Sequence, residues 1–340
     1  MDEQRDCHDE PTRLLVDPFG RHVTYLRISV TDRCDLRCLY CIGPEPRFLP
    51  RDQVLSLEEM LAVIRAFVDL GVTKVRLTGG EPLVRQNLLW LMRQTAALPG
   101  LRELVLTTNG TQLAPLARTI GRAGVRRINI SLDTLRPDRF LRITGHDRLG
   151  QVLAGIDAAV EAGFARIKLN SVILRNRNHD EVTDLVDFAV ERGINISFIE
   201  EMPLGARQEP QGLDGFYSSS EIHEDLARRF SLIPTAESTG GPARYFRVPG
   251  SETRVGFISP HSHNFCEDCN RVRVTAVGRL LLCLGQERSL DLRTILRTHP
   301  EDQKRLQDAI LNAMKIKPAG HSFSFEAGAE LGRRMNVTGG

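Results

Sequence analysis

Three cysteines, Cys34, Cys38 and Cys41, stand in a C-x3-C-x2-C run inside Thr31-Asp32-Arg33-Cys34-Asp35-Leu36-Arg37-Cys38-Leu39-Tyr40-Cys41. Three close thiolates can hold an iron–sulfur cube by three corners and leave a fourth iron open, able to bind a second molecule and act on it; a fully ligated cluster mostly moves electrons. The spacing also admits a zinc knot or buried free thiols. A second set, Cys266, Cys269 and Cys283, reads C-x2-C-x13-C and again lacks a fourth cysteine, because only Cys7 is left over. Zinc completed by His261 or His263 is one reading of that set, and a second cluster with an open iron is the other. Arg271 and Arg273 follow at strand spacing, so both side chains point one way and place positive charge beside the sulfurs.

The elements that must position these residues alternate from about residue 22 to 201. Strand patterns run over Tyr25–Val30, Thr73–Thr78, Glu103–Thr107, Arg126–Ser131, Arg166–Ile173 and Asn195–Glu201. Helical stretches fall between them, the first opened by the capping box Ser56-Leu57-Glu58-Glu59 and ended at Gly71. Further helices are predicted over Leu83–Leu98, Leu113–Ala123, Val152–Ala162 and Glu181–Arg192. Six β/α units in a row imply a parallel sheet, an open doubly wound one or a full or partial barrel, with functional residues at the C-terminal strand ends. Beyond about residue 205 a loop rich in Gly, Pro and Ser leads to short strands near Arg244, Arg254, Arg271 and Arg279, flanked by short helices. The reading predicts a core over 13–232 and a C-terminal domain over 233–340, with a flexible Gly-Gly tail.

Period-two alternation puts Arg27, Lys74, Arg76, Thr107, Asn129, Ser131, Lys168 and Asn170 on the inner faces of the strands. Barrel interiors are normally filled by branched apolar side chains. Four cations there repel one another unless something anionic joins them. That anion is either a polyanionic substrate such as a triphosphate, or nearby acids such as Asp133, Glu81 and Glu200. The chain as a whole is nearly neutral, with 45 Lys+Arg against 43 Asp+Glu in 340 residues, which argues against bulk nucleic-acid or membrane binding. No apolar run is long enough to span a bilayer, the charged N-terminus lacks a secretory pattern, and clustered cysteines fit a reducing, cytoplasmic setting.

With both cysteine sets in view, the chain resembles the radical S-adenosylmethionine (SAM) superfamily and, more narrowly, the GTP 3′,8-cyclase family of molybdenum cofactor biosynthesis. The resemblance rests on Asp17-Pro18-Phe19-Gly20-Arg21, the run from Leu26 through Cys34, Arg76-Leu77-Thr78-Gly79-Gly80-Glu81-Pro82 and Leu106-Thr107-Thr108-Asn109-Gly110. It extends through Ile128-Asn129-Ile130-Ser131-Leu132-Asp133, the second cysteine set and the closing Gly-Gly. It implies an incomplete (β/α)6 TIM-type barrel with a C-terminal α+β extension. It implies one [4Fe–4S] cluster on Cys34, Cys38 and Cys41 that binds SAM and, once reduced, cleaves it to a deoxyadenosyl radical. That radical takes hydrogen from the ribose C3′ of GTP, and the carbon radical attacks C8 of guanine. A second [4Fe–4S] cluster on Cys266, Cys269 and Cys283 would contact the guanine. By the same resemblance SAM contacts fall on Tyr40, Gly80, Ser131 and Met202. GTP contacts fall on Arg27, Arg76, Thr107, Lys168, Arg271 and Arg273, with Lys74 nearby, and the tail glycines Gly339 and Gly340 reach the active site. The implied partners are a one-electron donor and the next enzyme of the pathway, cyclic pyranopterin monophosphate synthase; monomer and homodimer both remain open. Three departures stand out: Asp35 where the family usually has Asn, Ile42-Gly43 in place of Met-Pro, and Ser197 where many members carry Arg.

Overall fold

The computed structural model describes residues 14–42, 48–202, 215–321, 323 and 335–339. Six strands follow the chain in order: β1 (Tyr25–Ser29), β2 (Lys74–Thr78), β3 (Glu103–Thr108), β4 (Arg127–Ser131), β5 (Arg166–Ile173) and β6 (Asn195–Glu200). Each pairs in parallel with the next. Helices α1 (Leu57–Asp69), α2 (Leu88–Ala96), α3 (Ala117–Arg122), α4 (Pro137–Thr144), α5 (Leu149–Glu161) and α6 (Val182–Glu191) connect them. The capping box forms as expected: the Ser56 hydroxyl accepts from Glu59 N at 3.1 Å, and Ser56 N donates to the Glu59 carboxylate at 2.7 Å. Met60, Val63, Ile64 and Phe67 of α1 are then buried against the sheet. The helix expected over Leu83–Leu98 is broken instead, by a short 3-10 turn at Pro82–Val84 and by Asn87 in the left-handed region (φ 59°). Helix α4 escaped the sequence reading: Pro137 starts it, but its eight residues are too few for a periodic signal.

The C-terminal part holds α7 (Ser219–Ala227), β7 (Ile233–Pro234), β8 (Arg244–Arg247), β9 (Arg254–Ile258), β10 (Arg271–Val274), β11 (Arg279–Leu281), β12 (Ser289–Asp291), α8 (Leu292–Thr298), α9 (Gln303–Met314) and α10 (Met335–Thr338). These strands extend the one sheet, in the order β12-β11-β10-β1-β2-β3-β4-β5-β6-β9-β8-β7. Strand β9 runs parallel to β6 and β10 parallel to β1, so the C-terminal segment grips both edges of the six-stranded core. Residues 259–270 therefore cross from one edge to the other. Across a flat sheet that crossing would be about 34 Å at the usual strand spacing. Twelve residues reach roughly 40 Å only when fully extended. This connection is not extended, because His263 N bonds Ser259 O and Cys269 N bonds Cys266 O. The sheet must therefore curl, and residues from β1, β2, β4, β5, β6 and β10 line one shared cavity. Among the described residues no helix is long and apolar enough to cross a membrane.

Candidate active site

Cys34, Cys38 and Cys41 sit on the loop that leaves the C-terminal end of β1. Gly79 and Gly80, just past β2, back that loop. A Cβ on Gly79 would lie 2.6 Å from Thr31 O, and one on Gly80 would lie 2.4 Å from Arg33 O. The close approach is used: Gly80 N donates to Thr31 O at 2.7 Å and Glu81 N to Arg33 O at 2.8 Å. Within the loop Cys41 N donates to Cys38 O at 2.9 Å. Leu36 N approaches Cys34 Sγ at 3.4 Å and Asn109 Nδ2 approaches it at 3.7 Å. Burial pushes the Cys34 and Cys41 thiols up to about 12, and Cys38 well above its usual value. The neighbouring carboxylates Glu81 and Asp35 add to this at Cys34, and Asp133 at Cys38. As free thiols all three would stay protonated. A cationic metal centre reverses that preference, because a coordinating thiol is deprotonated outright. A sulfur trio with no further cysteine near it among the described residues is a donor set that fits a cluster with one open iron.

Cys266 and Cys269 lie on the crossing between β9 and β10, and Cys283 lies just after β11. The chain after α9 surrounds them. Lys317 is 2% exposed, and its Nζ stands 3.5 Å from Cys269 Sγ and 3.1 Å from Leu282 O. Arg21 donates to Cys266 O, Ala319 O and Pro318 O, each at 2.6 Å, while Asp17 accepts from its Nε at 2.6 Å. Burial alone would raise the Cys269 thiol, but Lys317 and Arg271 outweigh it and hold that thiol below its ordinary value. Among the described residues no three His, Cys, Asp or Glu side chains converge on one ion position. His261, offered above as a zinc ligand, packs its ring against Phe216 and Phe323.

The second trio borders a cavity whose lining includes Cys266, Cys269 and Cys283 and, among the described residues, none of the first three cysteines. Seven cationic residues line it: Arg27, Lys74, Arg76, Arg127, Lys168, Arg271 and Arg273; no carboxylate does so among the described residues. The acids suggested above as partners are engaged elsewhere. Glu81 accepts from Leu83 N, Thr108 Oγ1 and Asn109 N; Asp133 accepts from the Tyr40 hydroxyl and Val172 N; Glu200 accepts from Ser219 N, His261 N and Ser262 N. Among the described residues only Glu103, outside the lining, reaches in, at 2.6 Å from Lys74 Nζ and 3.6 Å from Arg127. Crowding and burial both disfavour the charged forms. Burial and Arg273 bring Arg27 far below its usual value, burial and Arg76 do the same to Lys168, and Arg273 falls to about 10 through burial and Arg271. Arg271 Nε, Asn129 Oδ1 and Asn170 Oδ1 are buried with no hydrogen-bond partner among the described residues. Such groups are costly unless a ligand satisfies them. The open space is about 180 Å³. Ligand pockets usually span roughly 300–1,000 Å³, so this space is tight for a nucleotide with the long cationic side chains where they stand. A larger cleft, about 660 Å³, lies between α6 and α7, but its Arg175, Arg228 and Arg229 are already paired with Glu221, Asp225 and Asp187.

The expected residues thus fall into groups. Arg27, Lys74, Arg76, Lys168, Arg271, Arg273 and Met202 line the cavity, and Thr107 reaches it by accepting from Arg76 Nη1 at 2.7 Å. Tyr40, Gly80 and Ser131 are outside the lining, on the first cysteine loop or just at strand ends; Tyr40 is tied to Asp133 at 2.7 Å. Gly339 is held by Arg273, which donates to its carbonyl, and it has φ +79° with a would-be Cβ 2.7 Å from Thr78 Cγ2. Gly340, Gly43 and Cys7 lie outside the described residues. The expectation of a flexible tail is corrected for residues 335–339. There Asn336 Nδ2 donates to Asp32 O at 3.1 Å, Asn336 N–H faces Cys41, and Met335 lines the cavity. Tyr25, Arg127, Lys317 and Arg21 carry roles that the sequence reading missed. Tyr25 and Arg127 share the parity of Arg27 and Asn129 and were readable by alternation. Lys317 gave no signal.

Two family models match the chain in tandem, the radical SAM superfamily over residues 28–189 and molybdenum cofactor synthesis C over residues 194–323. The fold likeness extends to the crystal structure of Streptococcus suis SuiB bound to S-adenosylmethionine, with TM-score 0.58 and 15% identity over 85% of this chain and 69% of that one. Fold and first cysteine trio together define a radical SAM enzyme. The GTP 3′,8-cyclase of Ectopseudomonas mendocina (strain ymp) is 56% identical over 97% of this chain and 99% of its own length. That of Pseudomonas entomophila (strain L48) is 57% identical over 96% and 98%. The chain belongs to the GTP 3′,8-cyclase family.

Proposed function

We infer that this chain converts GTP to (8S)-3′,8-cyclo-7,8-dihydroguanosine 5′-triphosphate, an early step of molybdenum cofactor biosynthesis. The observation that carries the reading is a cavity lined, among the described residues, by seven cationic residues and no carboxylate, and bordered by the second cysteine trio. A triphosphate supplies the negative charge that this lining lacks. Arg27, Lys74, Arg76, Lys168, Arg271 and Arg273 bind it, and Thr107 orients Arg76. Lys74 gives up its bond to Thr239 O, 2.8 Å long here, to reach a phosphate. Cys34, Cys38 and Cys41 hold one [4Fe–4S] cluster, and Cys266, Cys269 and Cys283 hold a second that faces the guanine. SAM sits among Tyr40, Gly80, Ser131 and Met202. When bound, the first cluster and SAM supply one-electron chemistry that removes hydrogen from the ribose. The protein's own part is to hold the nucleotide still, exclude water and keep Gly339 and Gly340 against the reacting sugar. The curled sheet is an incomplete (β/α)6 barrel over 13–232, and 233–340 forms the auxiliary-cluster domain. The setting is cytoplasmic, the chain acts as a monomer or homodimer, an external one-electron donor reduces it, and cyclic pyranopterin monophosphate synthase takes the product.

Anaerobic incubation with SAM, GTP and a reductant, followed by product identification, tests this. The expected product is the cyclised nucleotide. SAM cleavage with no nucleotide product, but with modification of a peptide from a panel, would replace GTP as substrate.

A further inference from the structure

Tyr25 is 2% exposed and faces a cavity lined, among the described residues, by seven cations and no carboxylate, with the sulfurs of Cys266, Cys269 and Cys283 at its edge. Arg76 Nε donates to its hydroxyl, Lys74 Nζ stands 5.0 Å from its ring centre, and the Arg76 guanidinium stands 5.9 Å from it. On β1 itself Arg27 is two residues on, and β10 brings Arg271 level with Tyr25 and Arg273 level with Arg27. Lys168 faces it from β5, where its Nζ stands 3.5 Å from the Tyr245 hydroxyl. Among the described residues Glu103 is the acid that reaches these cations, at 2.6 Å from Lys74 and 3.6 Å from Arg127. A buried array of like charges needs a counter-charge when its ligand is away.

We propose that Tyr25 supplies part of that counter-charge: as a phenolate it offsets one of the cavity's cations in the free enzyme, and it takes up one proton from solvent when a nucleoside triphosphate enters. The inference rests on the triphosphate reading above. Burial would raise the Tyr25 hydroxyl, yet Arg76, Arg27 and Lys74 outweigh burial and bring it down to about 7. The incoming phosphates cancel those cations, the ordinary tyrosine value returns, and the phenolate becomes a phenol. No bond other than O–H forms. Tyr25 is therefore a positioning residue that keeps Arg76 and Lys74 aimed inward.

The test is calorimetry of GTP binding to the anaerobic holoenzyme, without reductant or SAM, in two buffers of different ionisation heat. At pH 8 the wild type should take up about nine-tenths of a proton more than Tyr25→Phe, and at pH 6 only about a tenth. Relative to the variant, wild-type affinity should fall about tenfold from pH 6 to pH 8, because the phenolate competes with GTP for the cations. Equal proton numbers at pH 8 overturn the proposal, and so does a folded Tyr25→Phe that no longer binds GTP. A second measurement needs no variant: adding GTP to the wild type at pH 8 should abolish the ultraviolet band of one tyrosinate among the four tyrosines. An unchanged band overturns the proposal. A wild type that binds no GTP at all sinks the substrate reading instead, and a pH titration of its tyrosinate band still tests Tyr25, since a free-enzyme midpoint near 10 would leave no counter-charge.

Discussion

Cys34, Cys38 and Cys41 are ringed by Glu81, Asp35 and Asp133, whereas Cys266, Cys269 and Cys283 lie beside Lys317, Arg271 and the carbonyls gathered by Arg21. The first trio comes from eight consecutive residues and is braced by two glycines that let the backbone of the loop after β2 touch it. The second is assembled from two loops, and three distant segments (residues 17–21, 283–286 and 317–321) must meet to hold it. Local charge tunes a cluster as much as its ligands do, since nearby cations favour the reduced, more negative state. The difference teaches a division of labour: the acidic pocket suits a strongly reducing centre, and the cationic one suits a centre that receives an anionic substrate.

The sharpest way to break this division is to remove one sulfur from each side. Cys38→Ser should abolish SAM cleavage, read as deoxyadenosine formed anaerobically. Cys269→Ser should leave uncoupled SAM cleavage and abolish the cyclised product. If both variants lose cleavage alike, the two trios do not have separate tasks.

The assembled trio should also be the more fragile. Arg21→Ala removes bonds to three carbonyls and to Asp17 from a side chain only 9% exposed. Hydrogen bonds with a charged partner contribute about 1.5–3 kcal/mol, so a loss of about 2–3 kcal/mol in unfolding stability is expected. Iron per chain should fall by about half, as the second cluster leaves and the first stays. Equal loss from both would show that Arg21 supports the whole sheet rather than one trio.

Lys317→Met tests the charge itself. A unit charge about 4 Å away interacts by about 4 kcal/mol at an effective dielectric of 20. Removing it should lower the reduction potential of the second cluster by on the order of 100 mV and leave the first unchanged, as read by an anaerobic redox titration. Lys317→Arg should keep most of the potential. A shift in neither cluster would remove the electrostatic half of the comparison.

How much of this was legible in the chain follows the same line. The six strands appear within a residue or two of where alternation put them, because each has one apolar face and one cationic or polar face. The cavity followed from the same period of two, and Arg27, Lys74, Arg76 and Lys168 share it. Register between distant strands was not legible. Nothing in Arg254–Ile258 or Arg271–Val274 says that one pairs with β6 and the other with β1, because strands of four or five residues carry no partner code. The support of the second trio was hidden for the same reason: Lys317 and Arg21 are 296 residues apart and meet only once the sheet has curled. The acids offered as the alternative counter-charges, Glu81, Asp133 and Glu200, spend their oxygens on backbone N–H groups and hydroxyls instead.

The smallest effect concerns Asp35, one of the departures noted in the sequence. Its carboxylate accepts from Asn109 Nδ2 at 2.8 Å, Thr111 Oγ1 at 2.7 Å and Arg148 Nη1 at 3.0 Å. Burial raises this carboxyl, but the hydrogen bonds from Asn109, Thr111 and Gln112 outweigh it and hold it below the usual carboxylate range. Asp35→Asn keeps the shape and loses the charge opposite Arg148, whose side chain is 37% exposed. Ion pairs of that exposure contribute about 0.2–1 kcal/mol, so the variant should be less stable by about 0.5 kcal/mol in chemical denaturation. Because the folded value lies below the unfolded one, the contribution is fully present above about pH 4 and is lost only as pH falls through the lower, folded value. The gap between wild type and variant should therefore be the same at pH 8 and pH 5. A gap that narrows by pH 5 would mean that Asp35 is not held as a carboxylate beside Cys34, and the acidic character assigned to the first trio would then rest on Glu81 and Asp133 alone.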